Sequence, residues 1–440
     1  VFIKGIIDVM SSIKNTIRKI IPESVISDAE ETYRYQKARA AYVRYGKSPD
    51  GQKVIAVTGT NGKTSTCTYI NSILKVAGLK TAVYTTAYTE MNGVYAANTT
   101  HMTVASPWSV QKFFRQAKDA GVDWVILEVT SHALDQHRIY GVPVEIAIIT
   151  NLSQDHLDYH KTMENYAAAK AKLITEFHPK HVILNADDEW YEYYRTKVEN
   201  ELHAVGRDAD HQILHTKLTP SGSRFELITP LGVAEISMNQ IGEFNVYNGA
   251  MAAVVGQILK LNSKTIADGI KSVDVIEGRL EPVDAGQDFA VLVDYAHTPD
   301  AIKNVVLAAK GTAEGRVRLV FGATGVGEYA RDTTKRGPMG EIAVETADFI
   351  YLTDDETYLE DGDKIRDEVE KGILKAGGKD KYVEIGDRYE AIKQACKDAK
   401  TGDVVLLCGI GHQDYRNMGG EHQKWDERLV AKEILEQLSR

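Results

Sequence analysis

Only three cysteines occur in 440 residues, Cys67, Cys396 and Cys408, and no two stand at C-x-x-C spacing. That scarcity suggests neither a zinc ribbon nor a disulfide framework, and a reducing cytoplasm is the expected compartment. No stretch approaches the roughly 18 apolar residues of a membrane-spanning helix. The N-terminal stretch lacks the small-residue cleavage site of a secretory signal. An excess of basic charge is also missing: 52 Lys and Arg face 62 Asp and Glu, a formal charge of −10, so no net basic field gathers nucleic-acid phosphates. No internal repeat or low-complexity tract appears. What is present is globular, 43% hydrophobic and 26% charged, in a length too great for one ordinary core; two or three domains are expected.

Residues 1–48 read as a helical segment. Ile3, Ile6, Ile7, Met10, Ile13 and Ile17 recur at helical spacing with Lys4, Lys14, Arg18 and Lys19 between them, and Pro22 is expected to end that first helix. A basic face beside an isoleucine-rich one suits packing on its own domain or a partner; peripheral membrane contact through residues 1–21 is the alternative. From Val54 the pattern becomes buried strand, glycine loop, apolar-periodic helix through Leu74. Further strand runs at Trp124–Val129 and Glu145–Thr150 predict an open α/β sheet. Around 208–240, stretches such as Ser223–Ile228 predict a small antiparallel insertion. After Gly278-Arg279 a second α/β series is expected, with strands near Phe289–Val293, Arg318–Phe321, Phe349–Thr353, Tyr382–Ile385 and Val404–Cys408. The fold class is therefore α/β: a helical segment (1–48), a central P-loop ATPase-like doubly wound domain (49–277) and a C-terminal Rossmann-like domain (278–440).

Gly59-Thr60-Asn61-Gly62-Lys63-Thr64-Ser65 ends a predicted strand and opens a helix, so its amides can cradle phosphate oxygens at the positive end of the helix dipole. Lys63 would reach the β and γ phosphates of ATP, and the Thr64 hydroxyl would bind Mg²⁺. Its first glycine stands only three residues before Gly62, shorter than the usual loop. Glu128 and His156 fall at or just past strand ends, where doubly wound sheets place their sites. Gly322-Ala323-Thr324-Gly325-Val326-Gly327 has the glycines of a dinucleotide loop but no helix at once after it, and reads as a substrate-side loop.

These motifs, with Glu128-Val129-Thr130-Ser131-His132-Ala133-Leu134, Asn151-Leu152-Ser153-Gln154-Asp155-His156, Tyr166-Ala167-Ala168-Ala169-Lys170, Gly242-Glu243-Phe244-Asn245-Val246-Tyr247-Asn248, Gly278-Arg279 and Asp294-Tyr295-Ala296-His297-Thr298-Pro299, resemble the Mur ligases. Within them the resemblance is to the MurE type, which adds an amino acid to a UDP-N-acetylmuramoyl-dipeptide. It implies an ATP-dependent peptide synthase of peptidoglycan precursor synthesis that works through an acyl phosphate. It further implies two Mg²⁺ ions held by Thr64, Glu128, His156 and a carbamylated Lys170, with Lys63, Lys170, His156 and Arg279 as catalytic residues. Asn245 and Asn248 would meet the nucleotide, Arg279 would meet ATP on closure, and Asp294, Tyr295 and His297 match a loop that covers it. Thr103, Ser106, Thr130, Ser131 and His132 would hold the muramoyl-peptide, and Arg331, Lys335 or Arg336 could meet its anionic groups. A free amino acid is the other partner, no nucleic acid is expected, and the chain is expected to be a monomer.

Three departures stand out. A nucleotide-sugar-binding domain normally precedes the loop in that family, and about 50 largely helical residues stand in its place here, so the acceptor is read as nucleotide- or lipid-linked, the latter at the inner face of the membrane. Asp354-Asp355-Glu356-Thr357 lacks the arginine of diaminopimelate-adding enzymes, and its three acids suggest a cationic amino acid such as lysine or ornithine. Gly409-Ile410-Gly411-His412-Gln413 replaces a Gly-Lys-Gly-His-Glu run, placing His412 and Gln413 in altered amino-acid recognition. The rival readings are another amide ligase of the superfamily, such as folylpolyglutamate synthase, and a nucleotide-binding pseudoenzyme scaffold.

Overall fold

Val54–Thr58, buried at every position, forms strand β1 of the computed structural model, which describes residues 23–98, 102–230, 232–326 and 332–438. An unbroken apolar run suits a strand covered on both faces. Ile55 and Val57 pack toward the helices Lys63–Val76 and Glu243–Ile258, while Val54 and Ala56 face Val110, Phe113 and Phe114 of the helix Pro107–Asp119. Each large side chain so removed from water contributes about 1.5–3 kcal/mol. The loop that follows therefore hangs on a fully buried strand.

Ten strands join β1: β2 (Thr81–Tyr84), β3 (Tyr88–Met91), β4 (Val94–Ala97), β5 (Trp124–Glu128), β6 (Val144–Ile149), β7 (His181–Asn185), β8 (Glu201–Gly206), β9 (His211–Thr219), β10 (Gly222–Thr229) and β11 (Gly232–Met238). Their order is β11-β10-β9-β8-β7-β6-β1-β5-β2-β3-β4. Strand β1 pairs in parallel with β5 on one side and β6 on the other, so the chain runs outward in both directions from it. A crevice opens beyond the carboxyl ends of strands at such a switch point. The antiparallel segment expected near 208–240 is β9–β11, and it extends the main sheet through the parallel pair β8–β9 instead of standing apart.

The helix Glu23–Arg44 is the described part of the predicted helical segment; it packs on the helix Pro107–Asp119, with Ala38 and Ala41 fully buried and Tyr42 edge-on to Tyr140 at 5.6 Å. The amphipathic stretch expected over residues 1–21 lies outside the described residues. Among the described residues no helix is long and apolar enough to cross a membrane.

The second sheet has the order β12-β13-β17-β14-β15-β16, formed by β12 (Glu281–Pro282), β13 (Ala290–Asp294), β14 (Val317–Phe321), β15 (Phe349–Leu352), β16 (Tyr382–Glu384) and β17 (Val404–Cys408). All its pairs but β12–β13 are parallel. Side chains alternate between two cores: Leu292, Leu319 and Leu406 on one face, Val291, Val293, Val405 and Leu407 on the other. Gly322 and Gly325, the described glycines of the dinucleotide-like run, follow β14 in non-helical conformation, and the next helix among the described residues is Arg336–Thr346.

Candidate active site

The chain leaves β1 through backbone conformations that favour glycine. Gly59 has φ 148°, where a Cβ would lie 1.8 Å from Thr150 Oγ1, and Gly62 has φ 82°, where it would meet Asn248 Oδ1 at 2.2 Å. Asn151 steadies the loop: its carbonyl accepts the Thr60 N–H at 3.1 Å and its side-chain oxygen the Asn61 N–H at 2.9 Å. The turn opens at the N-terminus of the helix Lys63–Val76, whose first amides lack a carbonyl one turn back and so suit an anion. Lys63 Nζ donates to the Gly59 and Thr60 carbonyls at 3.0 and 2.7 Å. Burial pushes its pKa below the ordinary lysine value, with Glu128 working against the shift and Arg279 adding to it. Ser65 follows, buried in the helix.

Thr64 Oγ1 donates to Glu128 Oε2 at 2.9 Å, and Glu128, 1% exposed, also accepts from the Thr86 amide at 3.0 Å and the Thr86 hydroxyl at 2.8 Å. A buried carboxylate beside a threonine hydroxyl is an all-oxygen donor set of the kind a hard divalent cation takes.

The helix Met163–Thr175 carries Lys170 to the same place. Its Nζ, on a residue 1% exposed, donates to the Gly59 carbonyl at 2.7 Å and lies 4.5 Å from the centre of the Tyr166 ring. Burial drives its pKa well below the ordinary lysine value, and Lys63 adds to that. His156 sits nearby at φ 56°, with Nε2 3.3 Å from Asp155 and its ring 4.8 Å from that of His132. Burial holds His156 well below the ordinary histidine value. Burial works to raise the Asp155 carboxyl, yet His156 and Lys335 prevail and hold it below the usual range. His132 is pushed down to about 4 by burial, then by His160 and Arg138.

The residues expected on the acceptor side divide. Ser131 is buried and its hydroxyl meets His160 Nε2 at 2.9 Å; Thr103 bonds Thr86, itself a partner of Glu128. Ser106 and Thr130 cap the helices Pro107–Asp119 and Ser131–Asp135 through their hydroxyls, a local role worth about 1 kcal/mol each that the expectation of peptide contacts did not include.

The second sheet closes on the crevice from across it. Arg279 Nη2 donates to Thr64 Oγ1 at 3.4 Å while its guanidinium lies 5.1 Å from the Tyr295 ring centre. Asn61 donates to Asp300 at 2.8 Å, and Lys335 Nζ is 3.4 Å from Asp155. His297 Nδ1 donates to the Tyr295 carbonyl at 2.7 Å, and burial, then Lys335, pushes the ring's pKa to about 4. Asp294 braces the backbone, accepting from the Leu280 and Ala296 amides at 2.8 and 2.7 Å. Asn248 touches the loop helix through Thr66 and is held by Asn245, whose side chain donates to the Ile241 carbonyl.

The acidic segment is not the uncompensated anionic surface that its sequence suggests. Asp354 pairs with Arg366. Asp355, 3% exposed, is raised in pKa by burial, with Arg388 and Arg416 opposing the shift. Glu356 accepts the Asn417 amide at 3.1 Å. Arg388 is itself buried, bonded to Glu427 at 2.9 Å, and Arg416 stacks 3.9 Å from the Trp425 ring centre. Arg336 is likewise spent, on Glu360 at 2.7 Å and Glu368 at 3.0 Å, so it is a brace and not a substrate contact. His412 lies 5.2 Å from Tyr295, and Gln413 is buried in the same loop. Arg331 lies outside the described residues. The residues that sequence reasoning passed over are Asp155, Thr86, Tyr166 and Asp300; Asp155 stood inside the quoted motif beside His156, and its burial was the missing signal.

Residues 57–256 match the Mur ligase middle domain and residues 278–411 the Mur ligase glutamate ligase domain. The chain is 40% identical over 405 residues to the UDP-N-acetylmuramoyl-L-alanyl-D-glutamate–2,6-diaminopimelate ligase of Bacillus licheniformis, covering 90% of this chain and 80% of that protein. The Aquifex aeolicus enzyme of the same name is 36% identical over 425 residues, 96% of this chain and 85% of that one. A solved structure of a ligase of that name superposes with a TM-score of 0.62 at 28% identity, over 94% of this chain and 84% of the other.

Proposed function

Because this chain belongs to the Mur ligase family, we propose that it joins the carboxylate of a muramoyl-peptide to the amine of an amino acid at the expense of ATP, in peptidoglycan precursor synthesis. The observation that carries this reading is the convergence of Lys63, Thr64, Glu128 and Lys170 on one loop, with Arg279 reaching Thr64 from the second sheet. The acceptor carboxylate takes the γ-phosphoryl group of ATP, giving ADP and an acyl phosphate; the incoming amine then displaces phosphate and the amide forms. Transfer of a phosphoryl group asks mainly for positioning and for positive charge on its oxygens. Lys63 and Arg279 supply that charge from opposite sides of the crevice. We divide the chain on this reading into a helical segment (1–48), an ATP-binding unit (49–277) and a closing unit (278–440).

Thr64, Glu128 and His156, with a carbamate on Lys170, would hold divalent magnesium, which would neutralise further phosphate charge. Only an unprotonated amine attacks CO₂, and the burial that lowers the Lys170 pKa supports that state. Asp155, which lies between His156 Nε2 and Lys335 Nζ, positions the His156 imidazole.

The amino acid is read from the paired charges near Asp354. There Arg388 and Arg416 offset the charge of Asp355, so the field is mixed and not purely anionic, which is compatible with a side chain ending in both an ammonium and a carboxylate; diaminopimelate, in the relatives' names, has that end. Phosphate release tests the function: it should require acceptor and amino acid together, across nucleotide-linked and lipid-linked muramoyl-peptides. Release that depends on neither points to a plain nucleotidase or a scaffold and removes the proposal.

A further inference from the structure

Far from the loop, at the amino-terminal end of the same parallel strands, lies a second group of metal-binding side chains. His181 opens β7, Glu201 opens β8 directly opposite it, His203 follows two residues later, and His211 opens β9. Strand side chains alternate, and the register pairs His181 with Glu201, Ile183 with His203 and Val205 with His211, so all four project from one face. We propose that His181, His203 and Glu201 form a binding site for a borderline divalent transition-metal ion such as Zn²⁺, separate from the catalytic cations.

Three observations carry this. His181 Nδ1 lies 3.2 Å from His203 Nε2 and 3.0 Å from Glu201 Oε2, and the three donor atoms all fall within 4.8 Å of one another. Zinc–nitrogen bonds of about 2.0–2.1 Å place tetrahedral ligand atoms about 3.3 Å apart, so the atoms already stand close to a coordination edge. Next, His203 Nδ1 faces His211 Nε2 at 3.2 Å, and the far ring nitrogen of His211, Nδ1, is buried. A neutral imidazole carries one N–H. With the His211 proton on Nδ1, His211 Nε2 accepts from His203 Nδ1, which leaves the His203 Nε2 lone pair directed at His181 and Glu201. A relay of this kind behind a ligating histidine is what orients metal-binding imidazoles. Finally, the site opens to solvent on one side: the Glu201 side chain is 68% exposed and that of His181 16%, so a cation has an entry path and water a fourth position. All three cysteines are buried elsewhere, which leaves a nitrogen and oxygen donor set suited to Zn²⁺ or Co²⁺ rather than a soft monovalent ion.

A bound ion would tie β7 to β8 and stiffen the half of the sheet that continues into β9–β11. The test titrates the metal-stripped full chain with Co²⁺ in excess Mg²⁺, which occupies the hard oxygen sites, and reads the visible absorption of tetrahedral cobalt. One equivalent is expected to bind with that signature and to be displaced by Zn²⁺. His203→Ala and His181→Ala should each weaken binding by at least about 100-fold, while His156→Ala leaves it unchanged. Glu201→Gln, at an exposed position with little bearing on folding, should weaken it about tenfold. Absence of a tetrahedral signal in the unmodified protein overturns the proposal, and so does a signal indifferent to Glu201 and His203 or lost in His156→Ala.

Discussion

The loop after β1 and the acidic segment after β15 both gather charge at the carboxyl end of a parallel strand, and they use it in opposite ways. At the loop, Lys63 and Lys170 lie close together and share the Gly59 carbonyl, so burial keeps two amines below their ordinary pKa in one small space. At the segment, Asp354 pairs with Arg366, and Asp355 lies buried in the field of Arg388 and Arg416, so positive charge inside the fold offsets both carboxylates. The lesson is that a run of like charges in sequence says little about the field a ligand meets; the partners decide it. Poised like charges mark a place where something anionic is to be received. Paired charges mark a place that is built first and selects second.

The largest effects expected follow from disturbing the poised side. Lys63→Ala should lower the rate of ligation about a hundred- to a thousandfold, the scale of losing one charge-stabilising group, with an unchanged melting temperature. Near-normal ligation by that variant sets the loop on the same footing as the segment and breaks the contrast. Lys170→Ala should be inactive and recover in part with added short carboxylic acids. In the unsubstituted protein, a carbon-13 carbamate signal from labelled bicarbonate should grow as pH rises: the unprotonated amine becomes commoner through the lowered Lys170 pKa, and a carbamate loses CO₂ when protonated. A signal absent at every pH, with full activity of Lys170→Ala in CO₂-free buffer, removes the carbamate.

On the paired side the effect should be on folding. Glu427→Ala leaves the buried Arg388 short of its main partner and should cost about 3–5 kcal/mol of stability, read from the denaturant midpoint. Selectivity sharpens the same point more gently. Diaminopimelate should be used at least about tenfold better than lysine, equivalent to about 1.4 kcal/mol of added transition-state binding. A clear preference for lysine or ornithine would restore the anionic pocket that the bare sequence suggests. The smallest effect expected concerns His132. Its folded pKa of about 4 lies below the ordinary 6.5, so between those values the unfolded chain takes up a proton that the folded chain does not, and stability falls as pH drops. His132→Gln should lose less stability than the unsubstituted chain between pH 7 and pH 5, by urea titration; an equal loss contradicts the burial assigned to that ring.

How much of this was legible in the sequence follows the same division. Strand, loop and helix from Val54 to Val76 could be read directly, because the apolar run, the two glycines and the following Lys63-Thr64 act over a few neighbouring residues. Lys170 entered through a resemblance, and its burial beneath Gly59 was not readable from a helix that also carries surface lysines. The compensation of the acidic segment was out of reach, since Arg366 and Arg416 stand 12 and 62 residues from Asp354 and are brought to it by helix and hairpin packing. The capping roles of Ser106 and Thr130 were hidden for a related reason: a capping hydroxyl and a ligand-binding hydroxyl look alike until the helix behind them is seen.

The central claim is that ATP activates the acceptor's own carboxylate, and following oxygen-18 tests it most directly. An acceptor muramoyl-peptide labelled in that carboxylate is turned over with ATP, Mg²⁺ and diaminopimelate, and the released phosphate is weighed by mass spectrometry. Transfer of one labelled oxygen to phosphate for each amide formed is the predicted result. Amide formed with unlabelled phosphate would contradict it.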